Sequence, residues 1–268
     1  MENKPNSPAA LTKKLNGFIK DLAKETDQAR ISEVMQNYLK FSASFYRYSL
    51  SNQFFIFLFR PDATLVAGYH DWLKKHRYVK KGEKGIPILA PCQVAIKDDE
   101  DNIIEKQLRF KTVYVFDISQ TEGEPLPEAP EWKSQEKSPE LEDMLIKFAN
   151  SLNINVEIKD LSSEGNAQGY SSGGQIVLDP TAGTKTLIHE IAHELLHHTK
   201  ETKTKTREEV ELEAEAVAYV VARALEIKDL QSPNYLAIWD ADSSKILARL
   251  DLIRTTANQI LSAIFPVK

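Results

Sequence analysis

Cysteine is nearly absent from this 268-residue chain; Cys92 is the only one. An internal disulfide is therefore excluded, and a reducing cytoplasm is the expected compartment. Cys92 has no histidine near it in sequence to make a cysteine protease, and beside Pro91 it reads as a small buried hydrophobe. Long apolar runs are also missing. The longest aromatic-aliphatic stretch, Phe54 to Phe59, is far shorter than the roughly 20 residues a membrane span needs, so no membrane partner is expected. The start, Met1-Glu2-Asn3-Lys4-Pro5-Asn6-Ser7, has no apolar segment of the kind a secretory signal carries. An excess of positive charge is missing too. With 34 Lys and Arg against 39 Asp and Glu, the chain does not coat nucleic acid with its whole surface. Internal repeats and low-complexity tracts are absent.

What remains is a globular composition, 42% apolar and 27% charged, on a length that accommodates two modest domains. The charge is uneven. Residues 1–127 hold 19 basic and 16 acidic residues, a balance of +3; residues 128–268 hold 15 and 23, a balance of −8. Any basic stripe therefore belongs to the N-terminal half.

Four of the six histidines lie between 189 and 198, in Leu187-Ile188-His189-Glu190-Ile191-Ala192-His193-Glu194-Leu195-Leu196-His197-His198. The apolar residues recur at helical spacing, so the segment is a core-facing helix. On a helix, residues four apart share a face, which lets His189 and His193 offer two imidazoles to one metal ion. Glu190 stands one step round from His189, where it can hold and deprotonate a water. H-E-x-x-H chemistry favours Zn2+ as cofactor, with three protein ligands and one open position. A metzincin would place glycine at 196 and a third histidine at 199; this chain has Leu196 and Thr199, so that pattern fails. His197 lies four beyond His193, where it could line the cleft, but the preferred reading is a helix-end histidine near the negative pole of the dipole.

The third ligand must come from elsewhere. Glu208 to Arg223 form a second helix, rich in Ala and Glu, with an apolar stripe through Leu212, Val217, Val220 and Val221. Most of its glutamates read as solvated face. Glu211 and Glu215 lie four apart beside Ala214 and Ala216, which leave room for close helix approach. Glu211 is the expected ligand, with Glu208 the alternative, because helical register alone does not choose. Glu215 is expected to accept a hydrogen bond from a ligand histidine and fix its tautomer. Tyr170, in Gly169-Tyr170-Ser171-Ser172-Gly173-Gly174, is a candidate oxyanion donor, and Gln175 to Leu178 a candidate edge strand for pairing with an extended peptide.

In the N-terminal half, Arg60 to Pro91 carry seven basic residues (Arg60, Lys74, Lys75, Arg77, Lys80, Lys81, Lys84) against Asp62, Asp71 and Glu83. Tyr69, Trp72 and Tyr78 are interleaved. Cations that track phosphates and aromatic faces that stack unpaired bases are what single-strand binding requires. A lysine-rich hairpin with core aromatics has the same composition, and both readings stand on the residues alone.

The coarse reading places helices at 10–25, 30–59, around Trp72, and at 138–152, 183–199, 206–226 and 241–263. Strands are expected at 86–90, 94–96, 107–110, 113–117, 156–158 and 176–178. Residues 122–130 read as a proline-rich linker and 97–102 as a polar hairpin tip. The fold class is α+β, in two domains spanning 10–127 and 138–268.

Two resemblances sharpen this. Gly169-Tyr170, Gln175 to Asp179, Thr186 to His197 and Glu211-Leu212-Glu213-Ala214-Glu215 resemble the ImmA/IrrE-like zinc metallopeptidases. That resemblance implies a zincin-like domain with a gluzincin-like ligand set. Asn is common in that family where this chain has Glu215. Tyr48 to Gln53, Arg60 to Tyr69, Trp72, Arg77 to Pro91 and Val115 to Gly123 resemble the single-stranded-DNA-binding domain of ArdC-like antirestriction proteins. It implies a DNA-binding domain, with Arg60, Tyr69, Trp72, Lys74, Arg77, Tyr78, Lys80, Lys81 and Lys84 as its candidate contacts. Such proteins travel on mobile elements. The expectation is a zinc metalloendopeptidase tethered to single-stranded DNA, acting on an unidentified protein substrate. The alternatives are a non-enzymatic antirestriction factor with a structural or vestigial metal, and a repressor-cleaving peptidase whose N-terminal domain binds protein.

Overall fold

The computed structural model describes residues 5–24, 28–97, 103–126, 138–162, 168–197, 205–227 and 242–265. The chain is α+β and divides into two compact units. One joins Met1–Asp21 to Tyr48–Pro127, and the other joins Leu22–Arg47 to Glu128–Lys268.

In the first unit, α1 (Pro8–Lys24) buries Leu11, Leu15 and Ile19, the i, i+4, i+8 positions of one face. Helix α3 (Leu50–Phe59) starts where Ser49 caps it by accepting from Asn52 N–H. That cap explains why the expected helix 30–59 is two helices. The first, α2 (Gln28–Ser44), groups with the other unit. After β1 (Val66–Gly68), α4 (Tyr69–Lys74) and β2 (Arg77–Val79) comes a long hairpin of β3 (Ile86–Lys97) and β4 (Ile103–Asp117). The four short strands expected here are two continuous ones. β4 pairs antiparallel with β3 along its length and with β1 only through Val115–Asp117. A 3-10 turn (Ile118–Gln120) and β5 (Thr121–Gly123) follow; β5 pairs with β2. The start of the expected linker is therefore strand, and residues 127–130 and the hairpin tip 98–102 lie outside the described residues.

Asp117 ties this unit together. Its carboxylate accepts from Thr64 N–H (2.8 Å), Leu65 N–H (3.1 Å), Ser119 N–H (2.9 Å) and the Ser119 hydroxyl (2.7 Å). Burial pushes its pKa up, but these hydrogen bonds outweigh burial and hold it below the ordinary value.

In the second unit, α5 (Pro139–Ser151) precedes a three-stranded sheet of β6 (Asn155–Ile158), β7 (Gly169–Ser171) and β8 (Gln175–Leu178). β8 is central, parallel to β6 and antiparallel to β7. The expectation of β8 as an edge strand is corrected: both its edges are paired, and β7 is the edge beside the metal-motif helix. Next come α6 (Thr184–His197), α7 (Arg207–Ala224) and α8 (Ser243–Ile264). α7 packs against α6, α8 and α2. Its segment Ala214–Ala222 is almost wholly buried, as a helix covered on several sides must be. Thr206 and Glu209 close a capping box at its start.

Candidate metal centre and nucleic-acid interface

Helix α6 carries His189 and His193 one turn apart, with their Nε2 atoms 3.0 Å from each other. Glu211 on α7 brings Oε2 to 3.6 Å from His189 Nε2 and 3.5 Å from His193 Nε2. A tetrahedral ion with ligands at 2.0–2.1 Å separates its donors by about 3.3–3.4 Å. The three donor atoms thus already form a triangle of the size one metal ion needs, and among the described residues this is the group that could hold one. The packing of α7 on α6 selects Glu211; Glu208 is exposed and makes no such approach. Small residues on α7 (Ala214, Ala216, Ala218) are fully buried and permit that packing.

Burial, together with the positive field of His189, pushes the His193 pKa down to about 4, so His193 is neutral and has a lone pair to offer. Burial also lowers His189, but Glu215, Glu190 and Glu211 outweigh it and the net direction is up. Glu215 Oε2 lies 3.4 Å from His189 Nδ1, and Lys185 Nζ donates to Glu215 Oε1 at 2.6 Å. Burial raises the Glu215 carboxyl, and the contacts with His189 and Lys185 bring it below its ordinary value.

Glu190 is buried beside the triangle. Burial raises its pKa, opposed by His189 and by a hydrogen bond with Ser171 of β7. An open cleft of about 360 Å³ runs past these groups, lined by Gln168, Gly169, Lys185, Thr186, His189, Glu190 and Glu215. Gly169 is there because a Cβ would meet Leu178 Cδ2 at 2.8 Å and Thr186 Cγ2 at 3.3 Å. Ser171 and Gly169 therefore face α6. Alternation along β7 turns the intervening Tyr170 the other way, which corrects Tyr170 as an oxyanion donor.

Three residues have roles that the sequence reading did not assign. Glu194 Oε1 and Oε2 accept from Gly173 N–H (2.8 Å) and Gly174 N–H (2.7 Å), pinning the β7–β8 turn to α6. Glu213 is 1% exposed, which corrects the solvated face assumed for it, and it sits with Lys205, Arg249 and His197. His197 is not a free helix-end residue: its Nδ1 is 3.2 Å from His193 Nδ1. The H-E-x-x-H-E spacing gave no sign that Glu194 binds backbone. An uninterrupted Ala-rich stretch around Glu213 was the available signal that it is covered.

In the first unit, Trp72 is 0% exposed and donates its Nε1–H to Phe116 O at 2.8 Å. That corrects its place among the DNA contacts, since a core indole has no free face to stack. Arg77 is turned inward to Thr121 Oγ1 (2.9 Å), Thr121 O and Glu124 O. Arg60 bonds Ser119 and faces Asp62, Lys80 donates to Ser119 O, and Lys74 pairs with Asp71. Lys81, Lys84, Tyr69 and Tyr78 are exposed. Unforeseen are the aromatic and apolar residues on one face of β4: Leu108, Phe110 and Tyr114, which are 64%, 55% and 49% exposed at even positions. A Cβ on Gly85 would meet Tyr114 Cβ at 2.8 Å, so the backbone next to Lys84 lies close against Tyr114. Lys106, Arg109 and Lys111 line the same strand.

Residues 10–149 match the family model of the N-terminal domain of anti-restriction factor ArdC. The chain belongs to the ArdC family. Residues 149–227 match the IrrE N-terminal-like domain. The donor triangle of this ArdC-family chain thus falls in its IrrE-like segment and the exposed aromatic face of β4 in its ArdC-type segment, while α8 lies beyond both. The crystal structure of the antirestriction ArdC protein from R388 plasmid, metal-free, is similar in fold (17% identity, 82% of this chain and 86% of that chain covered, TM-score 0.51). The Mn(II)-bound structure of the R388 protein aligns over the same shares at 18% identity and TM-score 0.47. No curated protein matches the chain. Among the described residues no helix is long and apolar enough to cross a membrane.

Proposed function

We propose that this ArdC-family protein is a metal-dependent endopeptidase joined to a single-stranded-DNA-binding domain, acting in the cytoplasm on behalf of a mobile element. The observation that carries the peptidase reading is the donor triangle of His189, His193 and Glu211 with Glu190 beside it. The residues fit the group: two imidazoles and a carboxylate at these separations suit zinc, which we take as the cofactor. When bound, the ion supplies Lewis acidity, polarising a carbonyl oxygen and making water a nucleophile at neutral pH. Glu190 accepts the proton of the attacking water and returns it to the leaving amine, helped by a pKa raised through burial. Ser171 holds Glu190, and the outer edge of β7 receives the backbone of an extended protein substrate. Glu215, anchored by Lys185, orients His189.

For DNA, the reading retains Tyr69, Tyr78, Lys81 and Lys84 and adds Leu108, Phe110 and Tyr114. Exposed rings flanked by lysines suit stacking of unpaired bases. The candidates Arg60, Lys74, Arg77 and Lys80 are left with supporting roles, because their side chains are already engaged within the protein.

The deciding experiment measures metal content, cleavage of an unfolded protein and restriction protection for wild type and Glu190→Gln. Retained zinc with lost cleavage supports the mechanism; unchanged cleavage sinks it. Protection that survives Glu190→Gln but disappears with Phe110→Ala and Tyr114→Ala favours the non-enzymatic alternative, in which the protein shields DNA by occupancy.

A further inference from the structure

The two histidines of the triangle are oriented by different devices. His189 faces a carboxylate directly, Glu215. His193 does not: its Nδ1 faces a third imidazole, His197, at 3.2 Å, and His197 Nε2 in turn lies 3.1 Å from Glu213 Oε2. Glu213 is fixed where it is. Lys205 Nζ donates to its Oε2 at 2.6 Å, Arg249 Nε is 3.4 Å from its Oε1, and its side chain is 2% exposed.

The direction of these hydrogen bonds follows from what each group can do. A carboxylate held by Lys205 and Arg249 is charged and only accepts, so His197 Nε2 carries hydrogen. Only one hydrogen fits between the two facing Nδ1 atoms, and a metal held on His193 Nε2 requires that hydrogen on His193 Nδ1, with His197 Nδ1 accepting it. The ring hydrogen of His193 is thereby placed on Nδ1, and its lone pair on Nε2, the atom that faces His189 Nε2 and Glu211. We propose that His197 and Glu213 are positioning residues that set the tautomer and ring orientation of His193 through an imidazole relay. This rests on the metal reading of the site. It differs from the usual arrangement, in which a carboxylate or carbonyl touches the ligand histidine itself.

The test uses the full chain and three proteins: wild type, His197→Phe and His197→Gln. Phe fills the space without hydrogen bonds. Gln can accept from His193 with Oε1 and donate to Glu213 with Nε2. Zinc affinity is read by chelator competition, the melting temperature of the metal-free protein reports packing, and imidazole 15N shifts report the His193 tautomer. Loss of such an orienting partner weakens metal binding about 10- to 100-fold. The expected result is that loss for His197→Phe, with Nε2–H appearing on His193, and recovery of most affinity by His197→Gln. A Phe variant that binds zinc like wild type overturns the proposal. So does a Gln variant as weak as Phe with both melting lower, which is a packing role. Wild type that binds no zinc overturns the metal reading itself, and this assignment with it. That outcome is told apart by the wild-type titration alone.

Discussion

Replacing Glu194 with Gln tests how the β7–β8 turn is held. Each carboxylate oxygen accepts one backbone N–H, from Gly173 and from Gly174, at 2.8 and 2.7 Å. Hydrogen bonds to a charged acceptor contribute about 1.5–3 kcal/mol each. Gln keeps one oxygen, but turns an amide donor toward the other N–H. One bond is lost, the charge is lost from the second, and two donors face each other. Gly173 and Gly174 lie in an exposed turn, so water recovers part of the deficit. The expected net loss is about 2–3 kcal/mol. At about 2–4 °C per kcal/mol for a domain of this size, the melting temperature falls by about 5–10 °C. Differential scanning calorimetry of the metal-free proteins reads it directly. A Glu194→Gln variant melting within about a degree of wild type refutes the clamp. The same clamp places Ser171 against Glu190, so the variant should also cleave more slowly at unchanged metal content.

Further expectations follow from other sites. Glu211→Ala should release the metal to a chelator, whereas Glu208→Ala should retain it; equal retention in both excludes Glu211 as the third ligand. Trp72→Phe removes the bond to Phe116 O and costs about 1 kcal/mol in urea unfolding, yet leaves single-strand affinity unchanged, because the ring is core. Phe110→Ala or Tyr114→Ala should weaken single-strand binding by about 1–3 kcal/mol at unaltered salt dependence, while Lys84→Ala lowers the slope of affinity against salt. Asp117 gives a pH signature: its folded pKa is depressed, so its stabilisation is complete above its ordinary value near 3.8 and is lost as pH falls through the folded value. In Asp117→Asn that acid-side loss of stability should shrink, as seen by urea unfolding from neutral pH downward.

Patterns set by neighbours in sequence were legible. His189, Glu190 and His193 depend on the rise and pitch of a single helix, and their joint placement needs only the apolar stripe Leu187, Ile188, Ile191, Ala192. The helices from α5 to α8 were legible for the same reason, and so were the resemblances that ride on contiguous motifs. The break between α2 and α3 was missed because a single serine cap outweighs a long aromatic run. The continuity of β3 and β4 was missed because cross-strand pairing holds residues whose own patterns read as interrupted.

By itself, then, the sequence determined that two imidazoles share one helical face with a glutamate one step round, that the N-terminal half carries the basic and aromatic residues, and that no internal disulfide forms. Tertiary structure decided which glutamate meets those imidazoles, that Glu213 is buried under His197, Lys205 and Arg249, that β8 is the central strand of its sheet with β7 at an edge, and that Trp72 is core while Phe110 and Tyr114 are exposed. The division has a physical cause. Spacing along a helix or strand is fixed by backbone geometry that every residue carries, whereas the face an element presents is fixed by what packs against it, and those partners lie far away in the chain.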